Sequence, residues 1–397
     1  MPIPTPFHPR TSLVNESQEW RNWSGFLAAG IYEPSFEREY WAIRNGVALI
    51  DVSPLFKYDI QGPGALSLIN KMVTRDMTRC EIGQIKYTPW CDEGGKIIDD
   101  GTVWRLGEEH FRVTAADPNL RWLQDCGFGL EVEIIDRSAD LAVLAIQGPN
   151  ARRILNLATA GLDLAKLAFY RLAQGQIQDF EVTITRTGYT GDLGYELWVD
   201  PEKAVPLWDE LVSVGDGFGL LPAGIVPLDI ARIEAGLLLI EVDYVSSHLA
   251  TTETRKSSPF EAGLGWTVAL EKGPFVGRSA LQQEANEGSQ CALVGIEVNW
   301  QNLEKIFAKA DLPPTVAGRA SRESLPLYNQ NERQIGQVTS STFSPILKKY
   351  IGLATVEYPY SKIGSELNME VTVEFVRRKV KATVVKKPFF NPPRKKS

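Results

Sequence analysis

The stretch from Glu181 to Val199 constrains this chain more than any other. Glu181 to Thr185 alternates polar and β-branched residues, and Tyr195 to Val199 alternates again, so both read as strands. Between them Gly188, Gly191 and Gly194 stand three apart, giving a backbone freedom that a plain hairpin does not need. The spacing is not the GxGxxG of a dinucleotide turn, and no Lys-Ser/Thr follows as in a phosphate-binding loop. On spacing alone an ordinary Gly-rich turn is the plainer reading. The returning strand carries one carboxylate, Glu196, among aromatic and apolar neighbours. It either lies on an exposed strand face or is an acceptor held ready for a ligand's N–H groups.

A second informative place is the hairpin predicted over Gly83 to Trp104, with Asp92-Glu93-Gly94-Gly95 as its turn. Adjacent Asp99 and Asp100 on its returning strand point to opposite faces, so one can enter a pocket while the other does not. That arrangement should keep the two carboxylates from raising each other's pKa. An Asp pair at the mouth of a hairpin is the bland alternative.

Composition narrows the function class. At 397 residues the chain suggests two or three domains. A net charge of −7 argues against a nucleic-acid binder. Cys80, Cys91, Cys126 and Cys291 show no metal-ligand spacing, and His8, His110 and His248 lie far apart, so no metal site is expected. No apolar run approaches the ~18 to 20 residues of a membrane span, and no signal peptide is read at the start. A cytoplasmic protein without a membrane partner is the expectation.

Taken in order, Glu16 to Ala29 reads as a short amphipathic helix or an aromatic-plugged loop. Ser35 should cap a helix over Phe36 to Asn45, and Asp117 with Pro118 should start one running to Cys126. Another is expected over Pro201 to Val214, with Leu207, Trp208, Leu211 and Val212 inward. Arg232 and Glu234 sit on an apolar segment, marking either ion pairing or a ligand site. Glu241 to Ser258 reads as a long loop of the kind that serves as a lid. From Cys291 onward short alternating runs predict an all-β barrel or jelly roll, and the basic residues from Lys386 to Lys396 a solvated tail.

The literal strings add to this reading. Gly188 to Leu197 (GYTGDLGYEL) resembles the signature of the glycine-cleavage T-protein (aminomethyltransferase) family. Further matches follow in order: GVALIDVS at Gly46 to Ser53, GGKIIDDGTV at Gly94 to Val103, LAIQGP at Leu144 to Pro149 and RIEAG at Arg232 to Gly236. The segments at Ser258 to Val268, Phe275 to Arg278 and Ser344 to Lys349 complete the set. The resemblance implies an α+β, three-domain clover-leaf fold around a folate channel, with residues 1–282 as two intertwined subdomains and 283–397 as a C-terminal barrel. It implies tetrahydrofolate as cofactor. Asp100 would be the catalytic carboxylate, and Glu196, Tyr189, Asp99, Tyr87, Arg232 and Leu55 would line the cofactor.

The donor side departs from the family. Pro54 stands where the family's DVSHM has histidine, Leu228 where an arginine is usual, and the loop after Glu241 is longer. The resemblance implies an aminomethyltransferase that forms 5,10-methylenetetrahydrofolate and ammonia with a lipoylated carrier (H) protein as partner. The departures leave open a demethylase that takes a small methylated donor and forms 5-methyltetrahydrofolate. A non-catalytic folate-binding protein is a third reading, weakened by Pro274 where such proteins carry a cysteine.

Overall fold

Strand alternation builds the first layers of the molecule. The structure is a computed structural model that describes all 397 residues, and the chain divides into two compact units. The first comprises Met1–Thr88, Asp99–Ala231 and Pro392–Ser397. Its larger sheet has seven strands, in the order Thr159–Ala160, Leu172–Ile177, Phe180–Thr185, Gly194–Val199, Ala142–Gln147, Val47–Asp51 and Leu220–Pro222. Neighbours run antiparallel except the last pair, which is parallel.

The two faces of that sheet are told apart by residue parity. Tyr195, Leu197 and Val199 enter an apolar core with the helices Ala151–Ala158 and Ala204–Gly215. Trp198, one position out of phase, joins a second core with Trp104, Ile85, Tyr170 and Tyr189. There Trp104 meets Trp198 edge-on at 4.5 Å. Trp104 belongs to a five-stranded sheet ordered Ile85–Cys91, Ile97–Arg105, His110–Ala115, Phe56–Gln61 and Glu133–Asp136. The two strands that carry the site's main residues are thereby joined through one aromatic core.

The second unit comprises Pro89–Ile98 and Arg232–Asn391. Its alternating runs close into a six-stranded barrel, in the order Cys291–Val298, Lys349–Glu357, Gln334–Ser344, Leu325–Tyr328, Glu366–Val373 and Val376–Val385. Pairing of the last strand with the first leaves no free edge.

Several expectations are corrected. Residues 20–29 form a hairpin of Trp20–Trp23 and Phe26–Ala29, because Ser24 and Gly25 both take positive φ and turn the chain. The helix Glu37–Asn45 gets no side-chain cap from Ser35. The helix Leu120–Gly127 starts at Asn119 rather than Asp117, whose N–H donates to Asp99 instead. Val212 is exposed.

The C-terminal region is not all β, since Trp300–Ala308 is a helix whose first turn is capped by the Asn299 side chain through the Asn302 N–H. Nor is its basic end a solvated tail. Burial pulls the Lys387 ammonium down to about 8, and Arg394 donates twice to Asp192, at 2.6 and 2.8 Å.

Candidate active site

The loop from Thr185 to Gly194 is shaped by one side chain, Gln147, at the end of its strand. Gln147 Nε2 donates to the Thr187 and Tyr195 carbonyls, each at 3.3 Å, and Thr190 Oγ1 donates to Gln147 Oε1 at 2.8 Å. A Cβ on Gly188 would stand 2.2 Å from Gln147 Oε1, and one on Gly194 2.1 Å. Those two glycines are present for close approach, and the amide fills the space they leave. Arg44 and Arg394 hold the far side of the loop through Asp192.

That framework fixes Glu196. Its Oε2 accepts a 2.6 Å hydrogen bond from Thr187 Oγ1, which shares a 2.6 Å bond with Thr185 Oγ1. Burial raises the Glu196 carboxyl above its ordinary value, and the two threonine hydroxyls oppose that shift. Glu196 as a residue is half-buried. It is a restrained acceptor on the Trp198 side of the sheet.

On Ile97–Arg105 the two aspartates have separate surroundings, as alternation requires. Asp99 is 0 % exposed and accepts from Asp100 N at 2.7 Å, Asp117 N at 3.0 Å and Asn119 Nδ2 at 2.8 Å. Burial raises its carboxyl well above the ordinary value, and the charge of Asp100 adds to that shift. Opposite faces therefore do not decouple the pair, because neighbouring residues on a strand stay close whichever way their side chains point. Asp100 is only half-buried and accepts the Tyr87 hydroxyl at 2.6 Å. The Tyr87 phenol is driven well above its usual range by burial first and by Asp100 second.

Tyr170 ties the two carboxylates together. Burial pushes its phenol up to about 12, the charges of Glu196 and Asp100 push the same way, and Arg75 opposes them. Its backbone has φ +61°, and it bridges two strands: its N–H donates to the Arg186 carbonyl and its carbonyl accepts from Ile85 N–H. Tyr87 in turn feels both Tyr170 and Tyr189. Asp100, Tyr87, Tyr170, Tyr189 and Glu196 thus form one electrostatic neighbourhood, beside the Trp104–Trp198 pair.

Two further candidate residues have surroundings of their own. Leu55 is half-buried in the turn after Val47–Asp51, where its carbonyl accepts from Lys57 Nζ at 2.8 Å. Arg232, in the second unit, is 1 % exposed and donates to Asp243 at 2.5 Å and to Ser340 Oγ at 3.1 Å. Its neighbour Glu234 accepts from Ser344 Oγ at 2.5 Å. The loop from Glu241 to Ser258 contains one short 3-10 turn, Glu253–Arg255, and buries Asp243, Ser246 and Ser247. No group of three or more His, Cys, Asp or Glu is placed to hold a metal ion.

Residues 10–272 match the GCVT N-terminal domain model, and residues 314–391 match the glycine cleavage T-protein C-terminal barrel domain. The chain belongs to the glycine-cleavage T-protein family. Among relatives, the aminomethyltransferase of Halothermothrix orenii is 34% identical over 375 residues, 94% of this chain and 95% of that protein. The Moorella thermoacetica aminomethyltransferase is 34% identical over 94% of this chain and 93% of its own.

The fold is shared with the glycine cleavage system aminomethyltransferase T of Bartonella henselae. Its TM-score is 0.83 at 24% identity, covering 98% of this chain and 99% of that one. The second of these domain models falls on strands of the closed barrel. In the candidate site, the residue that sequence reasoning missed is Tyr170. Its place depends on a left-handed backbone and on strand pairing, neither of which leaves a mark in the string Phe169-Tyr170-Arg171.

Proposed function

We propose that this chain is a tetrahydrofolate-dependent one-carbon transferase, and specifically an aminomethyltransferase that forms 5,10-methylenetetrahydrofolate and releases ammonia. The observation that carries the reading is that Glu196 and Asp100 lie, by strand alternation, on the faces of Trp198 and Trp104, whose rings meet in one aromatic core with Tyr170 and Tyr189. Such a site suits a flat heteroaromatic ligand with N–H donors at one end and a nucleophilic nitrogen at the other. Glu196 would accept from the ring N–H groups, and Tyr189 and Tyr170 would line its faces. When bound, tetrahydrofolate supplies the nitrogen that takes up the one-carbon unit.

The roles of the protein groups follow from their settings. Asp100 is partly accessible and held by Tyr87, so it can stabilise positive charge that develops during transfer and accept a proton. Asp99 is a positioning residue, since its three N–H contacts are all internal. The Trp104–Trp198 core excludes water that would capture the one-carbon unit. Arg232 serves as framework through Asp243 rather than as a ligand contact. A lipoylated carrier protein is the donor this reading requires.

Pro54, in place of the family's histidine, favours a second reading in which a small methylated compound is the donor. A product assay decides. The purified chain and tetrahydrofolate are offered aminomethyl-loaded lipoyl carrier or a panel of methylated sulfonium, amine and aryl ether compounds. Methylenetetrahydrofolate with ammonia supports the aminomethyltransferase, and 5-methyltetrahydrofolate from a small donor would establish the demethylase instead.

A further inference from the structure

On the opposite face of Gly194–Val199 from Glu196, the Tyr195 hydroxyl accepts a 3.0 Å hydrogen bond from Arg152 Nε. Arg152 opens onto a cleft of about 520 Å³, lined also by Pro149, Arg153, Asn156, Leu193 and Arg394. Three arginines around one cleft are unexpected in a chain whose net charge is −7. Of the three, only Arg394 is paired with a side-chain carboxylate, the buried Asp192, which it shares with Arg44. Arg153 is exposed, pairs with no carboxylate and lies over the Phe218 ring at 4.5 Å. The cationic character extends beneath the cleft. Buried Arg186 is made less basic by its burial, and Arg152 adds to that effect.

We infer that the cleft of Arg152, Arg153 and Arg394 is a binding site for a small polyanion carrying two or more phosphate or carboxylate groups. Guanidinium groups present forks that match both kinds of oxyanion, and concentrating like charge around a concave surface favours an anion there. The volume falls within the range of small-molecule sites. The chain itself shows how these groups hold oxygen. The main-chain oxygen of Ser397 accepts from Arg152 Nη2 and Arg186 Nη2, both at 2.6 Å, the short distance of charge-assisted bonds. This inference is independent of the one-carbon chemistry, since Tyr195 and Glu196 point to different faces of their strand.

The test uses titration calorimetry on the full chain with two probes, tripolyphosphate and citrate, at low and raised ionic strength. Arg153→Gln is the informative variant, because the side chain is exposed and its loss should not disturb folding. Arg121→Gln, an exposed arginine on the helix Leu120–Gly127, is the control. Binding by the wild type that weakens with salt, falls roughly tenfold or more in Arg153→Gln and is unchanged in Arg121→Gln supports the site. Binding of tripolyphosphate alone assigns it to phosphates, and of citrate as well to carboxylates too. If neither probe binds, or if Arg153→Gln binds as tightly as the control, the inference is overturned.

Discussion

The Tyr87 hydroxyl donates to Asp100 Oδ2 at 2.6 Å, and Asp100 is nevertheless only half-buried. The bond restrains the carboxylate's rotamer. Replacing Asp100 with Asn keeps the shape and removes the charge. Turnover should fall by about 10²- to 10⁴-fold, while the tetrahydrofolate dissociation constant changes little. Tyr87→Phe removes one neutral donor and should cost about tenfold in turnover. Parallel kinetics and calorimetry on both variants check the split, and a loss of binding without loss of turnover would contradict it.

Glu196→Gln should act the other way round. The amide keeps an acceptor but loses the charge that strengthens hydrogen bonds from ligand N–H groups, worth about 1.5–3 kcal/mol. Tetrahydrofolate should therefore bind roughly 10- to 100-fold more weakly, with a smaller effect on turnover at saturation. Equilibrium binding followed by fluorescence of the site's tryptophans measures this directly.

Gln147 and its two glycines should behave as one unit. Gly188→Ala forces a Cβ into the amide, so it is expected to destabilise the fold by about 1–3 kcal/mol. Gln147→Ala should also be costly, because it strips partners from two carbonyls and from Thr190. The double variant should be less destabilised than the two singles added together, since removing the amide makes room for the methyl. Urea unfolding of the four proteins closes the cycle, and strict additivity would refute the wedge.

Lys57 provides a pH test. It is fully buried, donating to the Ser53 and Leu55 carbonyls at 2.7 and 2.8 Å, and burial lowers its ammonium to about 8, with Asp51 partly opposing and Arg112 adding. Below about pH 8 both folded and unfolded chains carry the proton, and the cost of burying it is fully present. Between about 8 and the ordinary lysine value the unfolded chain holds more protons than the folded one. Lys57 therefore contributes a rise in stability with pH in that window, up to roughly 3 kcal/mol. Denaturation series at several pH values should show this rise in the wild type relative to Lys57→Met; parallel curves would exclude it.

Arg232→Ala should separate framework from ligand roles. Removing the guanidinium strands the buried Asp243 carboxylate, expected to destabilise the second unit by about 3–5 kcal/mol. Tetrahydrofolate affinity of the folded fraction should be unchanged. A large loss of affinity with little loss of stability would return Arg232 to the ligand site.

The parts of the site legible in the sequence were those written as local strings. Glu196 stood out as the single carboxylate of an apolar strand, and the Asp99–Asp100 pair could be split between faces by alternation alone. What stayed hidden depended on distant partners. Asp117 looks like a helix cap, but its N–H is drawn to Asp99 and Asn119 takes the helix start. Lys387 and Arg394 read as solvated charges because neither burial nor the carboxylate of Asp192 is visible from the chain's own neighbourhood. Tyr170 required both sheets to be in place.

Adjacent aspartates on Ile97–Arg105 serve opposite sides of one sheet, and their assignment rests on pairing with His110–Ala115, where Gly101 stands opposite Ala115. A slip of one residue would turn Asp99 to the Trp104 face and bury Asp100. The connection from Leu106 to Glu109 sets that register. Its length thus helps decide which aspartate faces the Trp104 side of the sheet. An insertion or deletion of a single residue there would exchange the surroundings of Asp99 and Asp100 without altering either residue.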